Sequence, residues 1–264
     1  DGSGRVQVDL GADKDIYLAR VNWSPDAQTL FVQRQNRAQT KIDLLKVDPA
    51  TGKSQLLFSE EQPRFTNLSG NFRALRDGSL LWSSERTGFN HLYRWKAGKW
   101  TQLTSGDWVV GQVIGLDETK GLVWFTGNRE TPLENHVYRA RLDGKGEAQR
   151  LTEAGWWNGA SMDGKARAML VTRSSPTQPS QTYLADADGK RSFWISENSV
   201  DASHPYAPYL ASHRAPEFGT LKAADGSTLY YKMPSPVRET GKRYPVFVQH
   251  YNGPGAGRQV TRSW

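Results

Sequence analysis

Cysteine is absent from this 264-residue chain, and methionine occurs only three times. Without a thiol there is no disulfide framework, no thiolate nucleophile, no cysteine-ligated zinc and no redox pair. Long apolar runs are missing too. The best are short stretches such as residues 246–248, far below the roughly 18–20 residues that a membrane-spanning helix needs. The opening Asp1-Gly2-Ser3-Gly4 carries neither a basic stretch nor an apolar segment, so no targeting signal is visible. An initiating Met is also lacking, and the chain is therefore expected to be processed or to be a piece of a longer one.

What the chain does hold is glycine (25), aromatics (10 Trp, 10 Tyr, 9 Phe) and a net charge of +7. A basic chain invites a nucleic-acid reading, which requires Lys and Arg in a stripe or on one face. Here they are scattered. The densest sets, Arg34, Arg37 and Lys41, then Arg64, Arg73 and Arg76, are interrupted by apolar or acidic residues. Trp82, Trp95, Trp124 and Trp194 sit inside alternating apolar segments, where packing explains them better than base stacking does. The charge is read as a solvated basic surface, with no nucleic-acid partner.

Four segments follow one plan of apolar strand, turn, second strand, Gly turn and short closing strand. The first holds Trp23-Ser24-Pro25-Asp26, Leu30-Phe31-Val32, Leu44-Leu45-Lys46-Val47, Gly52 and Leu56-Leu57-Phe58. Next come Asp77-Gly78, Leu80-Leu81-Trp82, His91-Leu92-Tyr93, Gly98 and Leu103. The third has Leu122-Val123-Trp124, His136-Val137-Tyr138, Gly144 and Leu151, and the fourth Asp163-Gly164, Met169-Leu170-Val171, Thr182-Tyr183-Leu184, Gly189 and Ile195. The turn glycines at 52, 98, 144 and 189 are 46, 46 and 45 residues apart. Segments of 4–8 β-branched or aromatic residues bounded by Gly, Asp, Asn and Pro are strand signals. Four short strands in some 40–50 residues are the signature of a β-propeller blade. A β-sandwich or a run of unrelated hairpins is the alternative, and the regular glycine spacing favours the propeller. One blade cannot bury both of its faces, so blades must stack; Trp82 and Trp124 are expected to fill the space between them. Residues 5–10 read as a strand of a preceding blade, so the four complete blades are expected to be part of a larger propeller.

The pattern stops at residue 197. Residues 198–216, rich in Pro, Ser, Ala and His, read as a linker or ordered loop. Residues 218–222 and 228–233 flank Ala224-Asp225-Gly226-Ser227, a hairpin signal. In Tyr244-Pro245-Val246-Phe247-Val248-Gln249-His250 the apolar residues are contiguous, which predicts a strand buried on both faces of an α/β sheet. It runs into Tyr251-Asn252-Gly253-Pro254-Gly255-Ala256-Gly257, a Gly-rich loop at a strand's carboxyl end, where ligands bind in such sheets. Residues 217–264 number 48, and an α/β domain needs well over ~100. The expectation is a sequence cut partway into a second domain.

Several stretches resemble the dipeptidyl peptidase IV branch of the prolyl oligopeptidase-like serine peptidases. They are Trp23-Ser24-Pro25-Asp26 with residues 32–39, the run from Trp82-Ser83-Ser84-Glu85-Arg86 to His91-Leu92-Tyr93, and Tyr244-Pro245-Val246 through Tyr251-Asn252-Gly253-Pro254. The similarity is collinear from about residue 15 to 264, with Asn252 standing where the family usually has Gly or Ala. The resemblance implies propeller blades over residues 1–197, a linker at 198–216, and over 217–264 the start of an α/β-hydrolase domain. It implies a peptide substrate from which N-terminal Xaa-Pro or Xaa-Ala dipeptides are removed. The nucleophile would stand on a Gly-x-Ser-x-Gly elbow with Asp and His following. No such elbow occurs here; Gly159-Ala160-Ser161-Met162-Asp163 lacks the last Gly. The chain alone is thus expected to lack the catalytic Ser, Asp and His, and to be inactive.

The resemblance also makes Tyr251 the oxyanion-hole donor, with Gly253 and Pro254 shaping its turn, and aligns Phe65 with a substrate-facing propeller aromatic. A blade-core place for Phe65 is the alternative. The family's acidic pair for the substrate amino terminus would lie upstream; Glu60-Glu61, without the surrounding aromatic motif, is read as a solvated loop pair. Among the five His, His91 and His136 occupy equivalent blade positions and read as structural. His204 and His213 are in the linker and His250 ends the predicted strand. No pair has ligand spacing with a nearby carboxylate, so neither metal nor cofactor is predicted. Bacterial-looking relatives suggest a periplasmic or secreted protein, and a homodimer of the full-length form is compatible with the resemblance. Two other readings stay open: an acylaminoacyl-peptidase or isopeptidase of the same fold, and a non-enzymatic propeller scaffold.

Overall fold

The computed structural model describes residues 2–68, 70–250 and 260–264. Two compact units divide the chain: residues 1–113, 117–123 and 140–148, and residues 114–116, 124–139 and 149–264.

The first unit opens with a four-stranded antiparallel sheet, β1 (Ile16–Trp23), β2 (Leu30–Asn36), β3 (Lys41–Val47) and β4 (Ser54–Glu61), paired in sequence order. A second sheet repeats it with β5 (Arg73–Ala74), β6 (Leu80–Ser84), β7 (His91–Lys96) and β8 (Lys99–Gln102). The third sheet consists of β9 (Val110–Asp117), β10 (Leu122–Gly127), β11 (His136–Arg141) and β12 (Gln149–Arg150), again paired in sequence order. In the second unit a fourth sheet follows, β13 (Trp157–Met162), β14 (Ala168–Ser175), β15 (Gln178–Asp186) and β16 (Arg191–Ser196), then the separate hairpin of β17 (Glu217–Lys222) and β18 (Thr228–Met233). These are four propeller blades in succession, as the repeat predicts.

Second and third strands of a blade are covered on both faces, so their apolar residues need not alternate. All five residues of β6 are buried. Phe31, Ile42 and Leu44 of the first blade form one buried cluster with Phe72, Leu80 and Trp82 around the second. Trp82 meets Phe58 edge-on at 5.2 Å, so this indole does fill the space between blades. In the second unit, Trp124 does the same, its Nε1–H donating to Ala187 O at 2.8 Å in the turn before β16.

The glycine period has a local cause. Gly144 and Gly189 have φ of 72° and 86°, in the left-handed region where a Cβ is strained. A Cβ on Gly144 would also stand 2.8 Å from Gln102 O, and one on Gly189 2.6 Å from Leu151 O. In both cases the turn presses on backbone at the closing end of the preceding blade. At these two positions the turn therefore marks where neighbouring blades touch.

Both blade histidines are structural, as their equivalent positions suggest. His91 and His136 are 1% and 0% exposed. Each ring Nδ1 lies 3.0 Å from a threonine hydroxyl, Thr104 and Thr152, which in turn accepts the N–H of the next strand residue, Leu92 or Val137.

Two expectations need correction, and of the two readings left open for residues 198–216 the structure shows one. Residues 5–10 form no strand. They lie extended beside the first blade, with Asp9 N–H donating to Gly52 O at 2.8 Å and Val8 and Leu10 packed on Val32, Leu45 and Val47. One backbone bond docks a segment without making a ladder. Residues 198–216 are an ordered loop with a 3-10 turn, Ala207–Tyr209. Finally, residues 244–250 pair with no strand among the described residues, and Val246, Phe247 and Val248 are 79%, 93% and 83% exposed. A contiguous apolar strand is buried only where neighbouring strands and covering helices exist, and the described residues around it supply neither.

Candidate functional site

One end of the first unit collects the β2–β3 turn, the β4–β5 link and the β6–β7 turn. Here the link between β4 and β5 is pinned to the first blade at several points. Gln62 N–H donates to Thr40 O at 2.9 Å and Thr66 N–H to Gln39 O at 2.8 Å. The Thr66 hydroxyl donates to Thr40 O at 2.7 Å, and the buried Gln35 amide reaches Thr66 O at 3.0 Å. Just beyond, Asn67 Nδ2 donates to both carboxylate oxygens of Glu85 at 3.0 and 2.8 Å.

Phe65 sits between these anchors and is 48% exposed. Its backbone neighbour Thr66 is 2% exposed. The reading of Phe65 as a blade-core residue is therefore excluded. A fixed loop presents its ring to solvent, an arrangement suited to an apolar group on a ligand.

Behind the loop, Glu60 overturns the reading of Glu60-Glu61 as a solvated pair. It lies on β4, not in a loop, and its side chain is 9% exposed. The carboxylate accepts Trp82 Nε1–H at 2.8 Å, the Ser84 hydroxyl at 2.6 Å and Arg86 Nη2–H at 3.3 Å. Arg86 in turn lies over the Trp100 and Tyr93 rings, 4.0 and 4.6 Å from their centroids. Only Glu61 behaves as expected, exposed and 2.9 Å from Lys41 Nζ. The period of two held the missed signal: Glu60 shares a strand face with Phe58, so extending the strand past Phe58 puts the carboxylate inward.

Gln35, Thr66 and Arg86 were not legible as site residues, because each acts through a contact distant in sequence. Tyr251, with Asn252, Gly253 and Pro254, lies outside the described residues. Ser161 is an ordinary member of β13, paired with Leu170. Among the described residues no group of three or more His, Asp or Glu is placed to hold a metal ion, and no helix is long and apolar enough to cross a membrane.

Comparison with known proteins adds the family context. The family model for the dipeptidyl peptidase IV N-terminal region matches residues 2–180. A probable dipeptidyl-aminopeptidase B of Emericella nidulans is 32% identical across 92% of this chain and 29% of its own length. Dipeptidyl peptidase 8 of Homo sapiens is 22% identical, with 90% of this chain and 33% of the relative covered. Among solved structures, a putative dipeptidyl aminopeptidase IV from Bacteroides ovatus superposes with a TM-score of 0.82 at 25% identity, over 97% of this chain and 39% of that one. Dipeptidyl peptidase 4 of Porphyromonas gingivalis gives 0.85 at 23% identity, covering 97% and 36%. The chain thus spans about a third of the length of the curated relatives it matches.

Proposed function

This chain belongs to the dipeptidyl peptidase IV family, and from that premise we propose that it is the propeller-side part of a serine peptidase that releases N-terminal dipeptides with Pro or Ala in second position. The match over residues 2–180 carries this reading. The catalytic Ser, Asp and His belong to the rest of the longer protein, in an α/β-hydrolase domain whose start is residues 217–264. This chain contributes two groups. Tyr251 donates its phenol hydrogen to the oxyanion that develops on the scissile carbonyl. A phenol hydroxyl is a neutral hydrogen-bond donor, which suits it to pairing with that oxyanion. Phe65 offers its exposed ring to the side of the bound peptide.

Phe65→Ala in the longer protein tests the propeller's share. The ring is exposed on a loop anchored by its neighbours' backbone, so its loss leaves the melting temperature within about 2 °C, as surface changes do. Losing an apolar contact of about 1–2 kcal/mol with substrate raises KM some 5–30-fold, with kcat little changed. Steady-state kinetics on a Gly-Pro anilide read both constants. An unchanged KM removes Phe65 from the substrate site.

A further inference from the structure

The two buried histidine relays end differently. In the second blade the chain of donors runs Leu92 N–H to Thr104 Oγ1, Thr104 O–H to His91 Nδ1, and His91 Nε2–H to Gly106 O at 2.8 Å. The third blade repeats the first two links through Val137, Thr152 and His136, but His136 Nε2–H then donates to a side chain, Glu134 Oε2, at 3.0 Å. A backbone carbonyl would have completed the relay, as in its neighbour. Burying a carboxylate instead is costly unless its charge is matched, and Glu134 is 4% exposed.

The match comes from residues 260–264. Arg262 Nη1–H donates to Glu134 Oε1 at 3.0 Å, and Gly155 N–H to Oε2 at 2.9 Å. Burial acts to raise the pKa of this carboxyl, but the Gly155 amide, His136 and Arg262 together hold it below the usual range. The backbone joins in: Arg262 N–H donates to Leu133 O at 2.8 Å. Two residues on, Trp264 N–H donates to Ser174 Oγ at 3.3 Å and its indole stacks on His213 at 4.7 Å and 3°. His213 is held by Pro176 O at 2.9 Å and the Tyr206 hydroxyl at 2.9 Å. All these residues lie in the second unit.

We propose that Glu134 is a positioning residue, a buried carboxylate on the third blade that clamps the segment carrying Arg262 and so sets where the catalytic part of the longer protein attaches to the propeller. The proposal rests on the reading of residues 217–264 as the start of that part. Arg262 follows Tyr251 by 11 residues, and catalysis is sensitive to displacement of about 1 Å, worth some 10²-fold in rate.

The test uses the longer protein with Glu134→Gln, Arg262→Met and the double variant, followed by amide hydrogen exchange and by kinetics on a Gly-Pro anilide. In Glu134→Gln, exchange of the Arg262 amide is expected to rise at least ~10-fold while that of Val137 stays unchanged. The side-chain amide that replaces the carboxylate still accepts from His136 but no longer carries the charge Arg262 needs. Each single variant lowers kcat about 10-fold with KM within about two-fold, and the double variant costs no more than either single, as residues acting in one contact do. Unaltered exchange at Arg262, exchange that rises equally at Val137, or single effects that multiply in the double variant would each overturn the clamp. Should Glu134→Gln fail to fold, Arg262→Met leaves the blade relay intact, and exchange of the residue-262 amide answers the same question. Exchange reads the clamp even if the longer protein releases no dipeptide, so the two readings can fail separately.

Discussion

Tyr251→Phe in the longer protein is expected to lower kcat about 10²–10³-fold while leaving KM within about three-fold, the range for losing one oxyanion donor. The substitution removes a single oxygen and keeps the ring. Ground-state binding and packing are therefore largely preserved, and the loss appears where negative charge develops on the carbonyl oxygen. Activity is expected to be reduced and not abolished, because an oxyanion hole in a hydrolase of this kind generally also uses backbone N–H donors. Stopped-flow or steady-state hydrolysis of a Gly-Pro anilide measures it. A kcat within two-fold of the parent would remove Tyr251 from the oxyanion hole.

The largest effect on stability is expected from Trp82→Ala, about 3–5 kcal/mol, the usual cost of truncating a buried Trp. Trp82 is 1% exposed. Its ring meets Phe58 at 5.2 Å and Phe72 at 6.2 Å, both edge-on, so truncation opens a cavity between two blades. It also takes the Nε1–H donor away from Glu60, leaving that nearly buried carboxylate to Ser84 and Arg86. At roughly 2–4 °C per kcal/mol for a protein of this size, the melting temperature falls by some 6–20 °C. Trp82→Phe separates the contributions, since it restores most of the ring and none of the hydrogen bond. A melting shift below about 2 °C for Trp82→Ala would mean that this interface carries little of the stability.

Much of this architecture was legible because its determinants are local or periodic. Gly144 and Gly189 stand at fixed spacing because each turn touches the blade before it. His91 and His136 stand at equivalent positions because each anchors a threonine at a closing strand. What was not legible depends on partners far along the chain. Glu60 looked solvated because its partners Trp82, Ser84 and Arg86 are 22–26 residues away. Glu134 carries no local signal, since the residue that matches its buried charge, Arg262, is 128 positions on. Phe65 could be aligned as a substrate-facing aromatic, but only the anchoring of Thr66 by Gln35, Gln39 and Thr40 shows why its ring stays outside the core. The strand predicted at residues 244–250 shows the reverse case. Its apolar run predicts burial, yet the residues are exposed and nothing among the described residues covers them.

The measurement that bears most directly on the whole account is the product spectrum of the longer protein. It should be offered a decapeptide with Pro in second position, once with a free amino terminus and once acetylated, and the products weighed by mass spectrometry. The account predicts that the free peptide loses its N-terminal Xaa-Pro dipeptide and that the acetylated one is left whole. Release of a single acetylated residue, cleavage of both peptides alike, or no cleavage of either would contradict it.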